Sequence, residues 1–465
     1  MAKKPKPYTR ILGKFLHKLN YRDLSKNDVA VTKSLLLDYI GYSVASVEEK
    51  PARILQGLAA EMGGPAEATI IGTSKRVSAV WASLVNGSMG HMTELDDTHR
   101  GTQSHMGDSV LPAALAVGEK TKAKGRDVLA AIVAGYDCGL RAGYSVMPSH
   151  YFKGWHPSGT MNAFGAAMTA GKILGLSEDQ LLHSLGLAGT QTAGNFAHVP
   201  IRGMSKDLNP GKGALNGVLS AFLARDGFTG SFDIFESVKG FMALYADRSK
   251  PEKLIANLGK PFLVGEVAHK KYPGCFHIHS SREAAMDIAK KHDLKAANIK
   301  KVVARIHAIG AWYVDDPVPW TGVKGLYGPR FSAQFQIALA LLEGEDGMWA
   351  SYDDEYVLKK LKDRRVRQVM KRIKLVHDKG FNKIWPNKWP AVVTITTTAG
   401  KTHTKRVNLP AGEPENPMSD AEINRKFDIL AGSRYSPRRI AQIKAAVDGF
   451  EKLKDVSEFT KLLRA

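Results

Sequence analysis

A short stretch of the chain, residues 91–105, concentrates ionisable side chains. It holds three carboxylates and three histidines, namely Glu94, Asp96, Asp97, His91, His99 and His105. Histidine exchanges protons near neutral pH, and carboxylates accept protons or bind cations, so such a set can carry acid–base chemistry or hold a metal ion. The spacing fits equally well a polar surface loop that follows a helix, and it does not decide between these alternatives.

Two other segments place a basic side chain where a helix is predicted to begin. His156 precedes Pro157, a residue that suits the first helical position, where free backbone N–H groups attract anions. Within residues 205–216, Lys206 or Lys212 could reach an anion in the same way. The glycine and lysine spacing of a phosphate-binding P-loop is missing there. A structural histidine and a solvated lysine are the simpler alternatives.

Residues 269–280 read His-Lys-Lys-Tyr-Pro-Gly-Cys-Phe-His-Ile-His-Ser. They join two parts of the chain that differ in predicted secondary structure. Lysines, a tyrosine and histidines at such a junction suit a ligand-binding cleft, because clefts between domains are common binding sites. A basic linker without a binding role is the alternative.

The 465-residue chain has the composition of a globular protein, with 44% hydrophobic and 24% charged residues. At this length two domains are expected. Only two cysteines are present, Cys138 and Cys275, which disfavours a disulfide framework, a cysteine zinc site and a [4Fe–4S] cluster. No apolar run reaches the roughly 20 residues that cross a bilayer, so we expect no membrane partner.

The formal net charge of +21 favours an anionic partner. Nucleic acid, an anionic membrane surface and a small acidic substrate would each be attracted to it. Basic residues are spread along the chain with modest concentrations at 1–22 and 359–374, and no zinc finger, RNP-type strand or basic zipper is found. A solvated basic surface is the simplest interpretation. The serine-poor segment 1–22 is interpreted as a basic tail that leads into a short helix.

Hydrophobic periodicity predicts a mainly α protein with a smaller α+β domain. Predicted helices cover 8–19, 25–46, 75–92, 109–122, 127–143, 158–174, 178–194 and 211–225. Beyond residue 260, strands are predicted at 299–310, 391–398 and 402–407, with helices near 278–292, 332–344 and 355–363. Helices return over 419–464 and are expected to pack back on the first part. The predicted division is an all-helical domain of 1–260 plus 409–465 and an α+β domain of 261–408.

Taken in order, these segments resemble the MmgE/PrpD family. The matching segments are Leu35–Gly41, Glu94–His105, Val110–Leu115, Gly135–Asp137, His156–Pro157, Lys206, Lys270–Pro273, Asn416–Ser419 and Lys426–Phe427. Each segment alone is weak, but their ordered occurrence over nearly the whole chain is specific. The resemblance implies a two-domain architecture, a helical domain plus a smaller α+β domain, and a cytoplasmic homodimer without cofactor or metal.

The resemblance also implies an enzyme that acts on a small di- or tricarboxylate, since the family includes 2-methylcitrate dehydratase, cis-aconitate decarboxylase and iminodisuccinate epimerase. It assigns catalytic roles to His105, His156, Lys206 and Lys270, and substrate-binding roles to Glu94, Thr98, Asp96 and Tyr272. In this hypothesis the lysines stabilise negative charge that develops beside a carboxylate, and the histidines exchange the proton.

From the resemblance we expect a metal-independent lyase, a dehydratase of the 2-methylcitrate type. An epimerase or a decarboxylase is the alternative, because the three reactions share this apparatus and differ in the bond that breaks next. Phe335 falls where decarboxylase-like members have a pocket tyrosine, which weighs against decarboxylation. A non-catalytic nucleic-acid-binding protein is a remote alternative, since such a protein would not retain the histidines and lysines, and we expect no nucleic-acid partner.

Overall fold

The structure, a computed structural model, describes residues 6–201, 203–319 and 327–465. A large helical part is followed by a smaller part built on a mixed sheet, which confirms the predicted fold class. The helices of the first part are α1 (Tyr8–Lys18), α2 (Lys26–Ala45), α3 (Lys50–Met62), α4 (Ala79–Met92), α5 (Gly107–Thr121), α6 (Gly125–Val146), α7 (Ser149–Phe152), α8 (Pro157–Thr160), α9 (Asn162–Ile173), α10 (Glu178–Gly189), α11 (Ser205–Arg225) and α12 (Phe241–Tyr245). Two short strands, β1 (Ala68–Thr69) and β2 (Arg76–Val77), pair beside them.

The helical part buries several of its helices on all sides, because they consist largely of small and aliphatic residues. α2 begins at the predicted capping box: Ser25 Oγ accepts from the Asp28 backbone N–H at 3.1 Å, and the Asp28 carboxylate accepts from the Ser25 N–H at 2.9 Å. α11 packs closely against α4 and α9. A Cβ at Gly217 of α11 would collide with Ala166 of α9, so this close packing requires glycine.

The second part contains a four-stranded sheet with the order β4–β3–β5–β6. Its strands are β3 (Ile299–His307), β4 (Ile373–Asp378), β5 (Ala391–Thr397) and β6 (Thr402–Val407). β3 and β4 are parallel and the other neighbours are antiparallel. The accompanying helices are α13 (Phe276–Lys291), α14 (Ala308–Val314), α15 (Tyr327–Arg330), α16 (Ala333–Ala350), α17 (Asp354–Lys362) and α18 (Arg364–Met370). α13 packs on β5 and β6, where β5 shows the alternating burial that its sequence predicts.

Several elements differ from the prediction, and the following four are examples. The strand predicted over 299–310 ends at His307, whose side chain accepts from the Gly310 N–H and starts α14. The helix predicted over 211–225 begins earlier, at Ser205, because Pro210 lies inside the helix and does not interrupt it. α3 and β4 were not predicted, since α3 leaves much of its apolar face exposed and β4 has only six residues.

The chain ends with α19 (Asp420–Ala431), α20 (Pro437–Asp448) and α21 (Val456–Leu462). α19 packs against α2 and α21 against α5, as expected for a tail that returns to the helical part. The domain boundaries, 1–260 with 409–465 and 261–408, stay a prediction. Among the described helices none combines the length and the hydrophobicity that a membrane span requires.

Candidate functional site

A cavity of about 490 Å³, including its open mouth, lies where the helical part meets the sheet-containing part. Six of the eight predicted site residues line it: Glu94, Thr98, His105, His156, Lys206 and Lys270. The other described residues of the wall are Gln103, Tyr151, Phe196, Cys275, Phe276, His277, Tyr313, Phe331 and Trp389.

The loop between α4 and α5 is tied to the segment that carries Lys270. Thr98 and Ala268 exchange two backbone hydrogen bonds, of 2.9 and 2.8 Å, and the Gly274 N–H donates to the Glu94 carbonyl at 3.1 Å. Glu94 has a φ of 57°, a left-handed conformation that residues other than glycine rarely adopt and that costs free energy. The surrounding hydrogen bonds thus hold the loop in a strained form that brings the predicted carboxylates to Lys270.

Two buried lysines and two buried carboxylates form the charged centre of the site. Lys206 pairs closely with Glu94, while Lys270 Nζ lies 3.4 Å from Glu94 and 2.9 Å from Asp96. Burial alone would raise the pKa of Glu94, but the charges of Lys206 and Lys270 lower it to about 2. Burial likewise opposes the charge of Lys270, yet Asp96 and Glu94 raise its pKa above the usual value. The ammonium group of Lys270 is therefore charged before any ligand arrives.

Lys206 has N–H donors that a ligand can use. Its Nζ lies at the N-terminal turn of α11, 5.8 Å from the centroid of the Phe331 ring, and its described polar contact is the ion pair with Glu94. An ammonium group carries three donors, so Lys206 can bind an anion in the cavity without leaving Glu94.

His105 is oriented from behind by oxygen atoms. Its Nδ1 lies 2.7 Å from an Asp96 carboxylate oxygen, 2.7 Å from the Asp97 carbonyl oxygen and 3.3 Å from the Thr98 hydroxyl. Because the carboxylate and the carbonyl only accept, Nδ1 carries a proton, and Nε2 remains to exchange a proton with a ligand. Asp96, predicted to bind substrate, is itself fully buried and acts through His105 and Lys270.

His91 and Asp108 complete the buried layer behind His105. His91 Nδ1 lies 2.8 Å from Asp96 and 3.1 Å from Asp108. Burial, and then the charge of Lys206, lower the pKa of His91 to about 3, whereas burial and the neighbouring Asp96 raise the pKa of Asp108 well above its usual value. His91 is therefore neutral at neutral pH, and the shift at Asp108 favours its protonated form. Asp108 gave no signal in the sequence, because it follows the loop as an ordinary first-turn residue of α5.

His156 lies where the sequence predicts it, at the N-cap of α8 with Pro157 in the first turn. The ring is buried, and no described residue bonds to its Nδ1. Burial, followed by the nearby rings of His198 and His91, lowers the pKa of His156 well below its usual value. It is a neutral side chain at the cavity wall and does not belong to the charged centre of lysines and carboxylates.

Two residues that the sequence analysis placed in the pocket, Tyr272 and Phe335, lie away from this cavity. Tyr272 donates to Glu345 at 3.2 Å and lines a separate groove, so it does not reach this cavity. Phe335 is fully buried within α16 and does not line the cavity either. Tyr313 and Phe331 lie in the wall, and Tyr313 is one of its two tyrosines. The argument from Phe335 against decarboxylation therefore fails.

The rest of the wall is largely aromatic, and most of it was missed. Its rings belong to Tyr151, Phe196, Phe276, Tyr313, Phe331 and Trp389. Trp389 precedes β5 and is far from every motif in the sequence, so only the fold could reveal it. His277 lies in the segment 269–280 that was identified as a cleft candidate, but nothing in its spacing distinguished it from its neighbours.

The helical part, the mixed sheet and the histidine–lysine cavity between them define the class of protein. Sequence models of the MmgE/PrpD N-terminal domain and C-terminal domain match residues 10–254 and 272–452. The chain therefore belongs to the MmgE/PrpD family, and this membership supports a lyase-type enzyme that acts on a polycarboxylate.

The more specific comparison is with curated relatives. A cis-aconitate decarboxylase of Aspergillus terreus is 26% identical over 422 residues, which cover 86% of this chain and 84% of the relative. The cis-aconitate decarboxylase-like protein oryM of Aspergillus oryzae is 27% identical over 85% of this chain and 84% of its own length. A cis-aconitate decarboxylase of Mus musculus is 26% identical over 99% of this chain and 94% of its own length.

Proposed function

We propose that the protein decarboxylates cis-aconitate or a closely related unsaturated tricarboxylate. The observation that carries the proposal is the composition of the cavity wall: it presents Lys206, Lys270 and His105, and most of its other side chains are aromatic. The names of the relatives support decarboxylation over the dehydration that the sequence favoured. Decarboxylation is also a lyase reaction, so the expectation of a lyase that acts on a polycarboxylate is unchanged.

The reaction balances without a cofactor. The bond between the CH₂ carbon and its carboxylate breaks, and CO₂ leaves. The electron pair forms a new terminal C=C bond, while the electrons of the original double bond move to the carbon beside another carboxylate. That carbon takes up one proton. A trianion and a proton thus give a dianion with a terminal methylene group and CO₂.

Each charged residue has a role in this reaction. Negative charge develops on the carbon beside the retained carboxylate and spreads into it, so that Lys206 and Lys270 stabilise the transition state. His105 Nε2 delivers the proton, because its Nδ1 is engaged by Asp96 and the Asp97 carbonyl. Glu94 and Thr98 position Lys206 and His105, and His156 supplies a neutral polar contact.

The aromatic part of the wall favours loss of CO₂. A carboxylate that leaves as CO₂ gives up its charge, and its departure is easier where no cation and little water stabilise that charge. Dehydration needs instead an acid placed at a leaving hydroxyl, and the other two histidines at the wall, His156 and His277, are buried with pKa values well below the usual value.

The test follows cis-aconitate and 2-methylcitrate separately by NMR. With cis-aconitate in D₂O, we expect a five-carbon dicarboxylate that carries a terminal methylene and one deuterium beside a carboxylate. Loss of water from 2-methylcitrate with no turnover of cis-aconitate would replace the proposal by the dehydratase hypothesis. Turnover of neither compound would contradict both.

A further inference from the structure

His277 occupies a point of the cavity wall that the mechanism above does not use. It lies in the first turn of α13, and its ring stacks on Trp389 with centroids 4.3 Å apart and planes 23° apart. A Cβ at Gly310 would fall 2.5 Å from His277 Cγ, so the absence of a side chain there makes room for the ring. The ring is thus held in one orientation.

Hydrogen bonds fix which nitrogen of His277 carries the proton. The Gly310 backbone N–H donates to His307 Nδ1 at 3.2 Å. His307 then carries its own proton on Nε2 and donates to His277 Nδ1, 3.2 Å away. A neutral His277 must therefore carry its proton on Nε2, as a donor on a ring that lines the cavity.

Both rings are uncharged at neutral pH. Burial lowers the pKa of His307 to about 4. Burial, followed by His307, His105 and Lys270, lowers the pKa of His277 well below its usual value. No described ion pair or hydrogen bond joins His277 to Lys206 or Lys270. His277 therefore offers a directed N–H without a full positive charge, separate from the two lysines.

We infer that His277 Nε2–H binds the substrate carboxylate that leaves as CO₂, while Lys206 and Lys270 hold the carboxylate beside which charge accumulates. This inference rests on the proposed decarboxylation. An ammonium group would stabilise the departing carboxylate more in the ground state than in the transition state, where its charge is moving away. A neutral donor orients the same group at a smaller cost to the rate, and it selects for a ligand with a third carboxylate.

Calorimetry with two unreactive probes tests this assignment. Tricarballylate is the saturated tricarboxylate, and methylsuccinate is the same molecule with one CH₂COO⁻ replaced by CH₃. In His277→Phe, tricarballylate should bind about 10- to 100-fold more weakly, the loss expected for a hydrogen bond to a charged group. Methylsuccinate should bind as to the wild type. His277→Gln, which keeps an N–H donor near the Nε2 position, should recover most of the affinity for tricarballylate.

His307→Phe tests the relay behind His277. It should lower the affinity for tricarballylate selectively, and adding His307→Phe to His277→Phe should cause no further loss. Unchanged circular dichroism would show that His277→Phe and His277→Gln are folded. If both folded variants lost the same affinity for the two probes, the assignment of His277 would be overturned and the proposed function would stand. Failure of the wild type to bind either probe would overturn the proposed function and the inference with it.

Discussion

At the residue scale, the arrangement around His105 defines the chemistry. Three oxygen acceptors face its Nδ1, so its Nε2 is the atom that can exchange a proton in the cavity. His105→Gln should lower kcat by roughly 10²- to 10⁴-fold, since general acid–base catalysis contributes about that much, with a smaller change in KM.

His99 gives a matched control for that substitution. It lies in the same loop and is buried, but its ring contacts Thr102 and Glu266 and does not line the cavity. His99→Gln should keep kcat within a few-fold of the wild type. A His105→Gln enzyme as active as His99→Gln would exclude His105 as the proton donor.

The buried layer behind His105 also bears on metal dependence. Donor atoms of His91, Asp96 and His105 lie within 4.8 Å of one another, as in a metal site. Lys270 Nζ lies 2.9 Å from Asp96, however, so an ammonium group already neutralises the carboxylate that a cation would need. We expect overnight EDTA treatment to leave the rate unchanged. A large loss that one divalent ion restores would show that the cluster is a metal site.

Asp97 should make stability depend on pH. Its carboxylate accepts from the Gly107 N–H at 3.1 Å and the Tyr136 hydroxyl at 2.8 Å, but burial, aided by Asp96, raises its pKa to about 7. An unfolded aspartate has a pKa of about 3.9, so between about pH 4 and pH 7 the folded state binds more protons. The free energy of unfolding contributed by this group therefore falls as pH rises through that window.

Thermal unfolding between pH 4.5 and 8 measures this effect. Asp97→Asn removes the titration, and its Tm should decline less than that of the wild type as the pH rises. Asp346→Asn, at a fully exposed side chain, is the control and should follow the wild type. Equal slopes in Asp97→Asn and the wild type would contradict the assignment.

At the scale of elements, α19 supports the site from outside the cavity. Its Lys426 is fully buried and donates to the carbonyls of Leu95 and Lys270, each at 2.8 Å, and it lies 2.8 Å from a carboxylate oxygen of Asp38 on α2. One ammonium group thus joins the carboxylate loop, the Lys270 segment and α2. Lys426 is a positioning residue, since it does not line the cavity.

Lys426→Met should destabilise the protein by about 3–5 kcal/mol, because it leaves the Asp38 carboxylate buried without its cation. Asp38→Asn added to Lys426→Met should restore part of the free energy of unfolding, measured by denaturant titration. The double variant should still have a lowered kcat, because the Leu95 and Lys270 carbonyls have no donor. Full recovery of both stability and kcat would show that Lys426 only balances charge.

The sequence predicted helices and strands correctly where local signals are strong. The capping box at Ser25, the start of α8 after His156 and the β5–β6 hairpin are each determined by neighbouring residues. Lys206 was identified, but its helix was predicted to begin at residue 211, whereas it begins at Ser205. The positions of Trp389 and Phe335 depend on packing between distant segments, which no local pattern records.

At the scale of the whole molecule, the site depends on both parts of the chain. α11 supplies Lys206, the loop after α4 supplies His105, and α13 with the segment before β5 supplies His277 and Trp389. The net charge of +21 favours the approach of an anionic substrate to the protein as a whole. The homodimer and the cytoplasmic location, expected from the family resemblance, stay predictions.

Because a ligand in the cavity touches both parts, it should stabilise the whole fold. A ligand at 100 times its Kd stabilises the native state by about 2.7 kcal/mol, provided that it does not bind the unfolded chain. Tricarballylate should therefore raise the Tm of the wild type, and Lys206→Met should abolish the shift. Lys212→Met is the matched control: Lys212 lies on the same helix, but its Nζ donates to the Ala193 carbonyl at 2.9 Å and does not line the cavity.

The loss in Lys206→Met has two components, since Glu94 also loses the closer of its two lysine partners and then repels the ligand. Glu94→Gln added to Lys206→Met removes that repulsion. If the Tm shift stays absent in the double variant, the ammonium group of Lys206 itself binds the carboxylate, whereas a restored shift would mean that Lys206 acts only by neutralising Glu94. Retention of the full shift in Lys206→Met would place the anion site elsewhere, with Lys270 the remaining ammonium group on the cavity wall among the described residues.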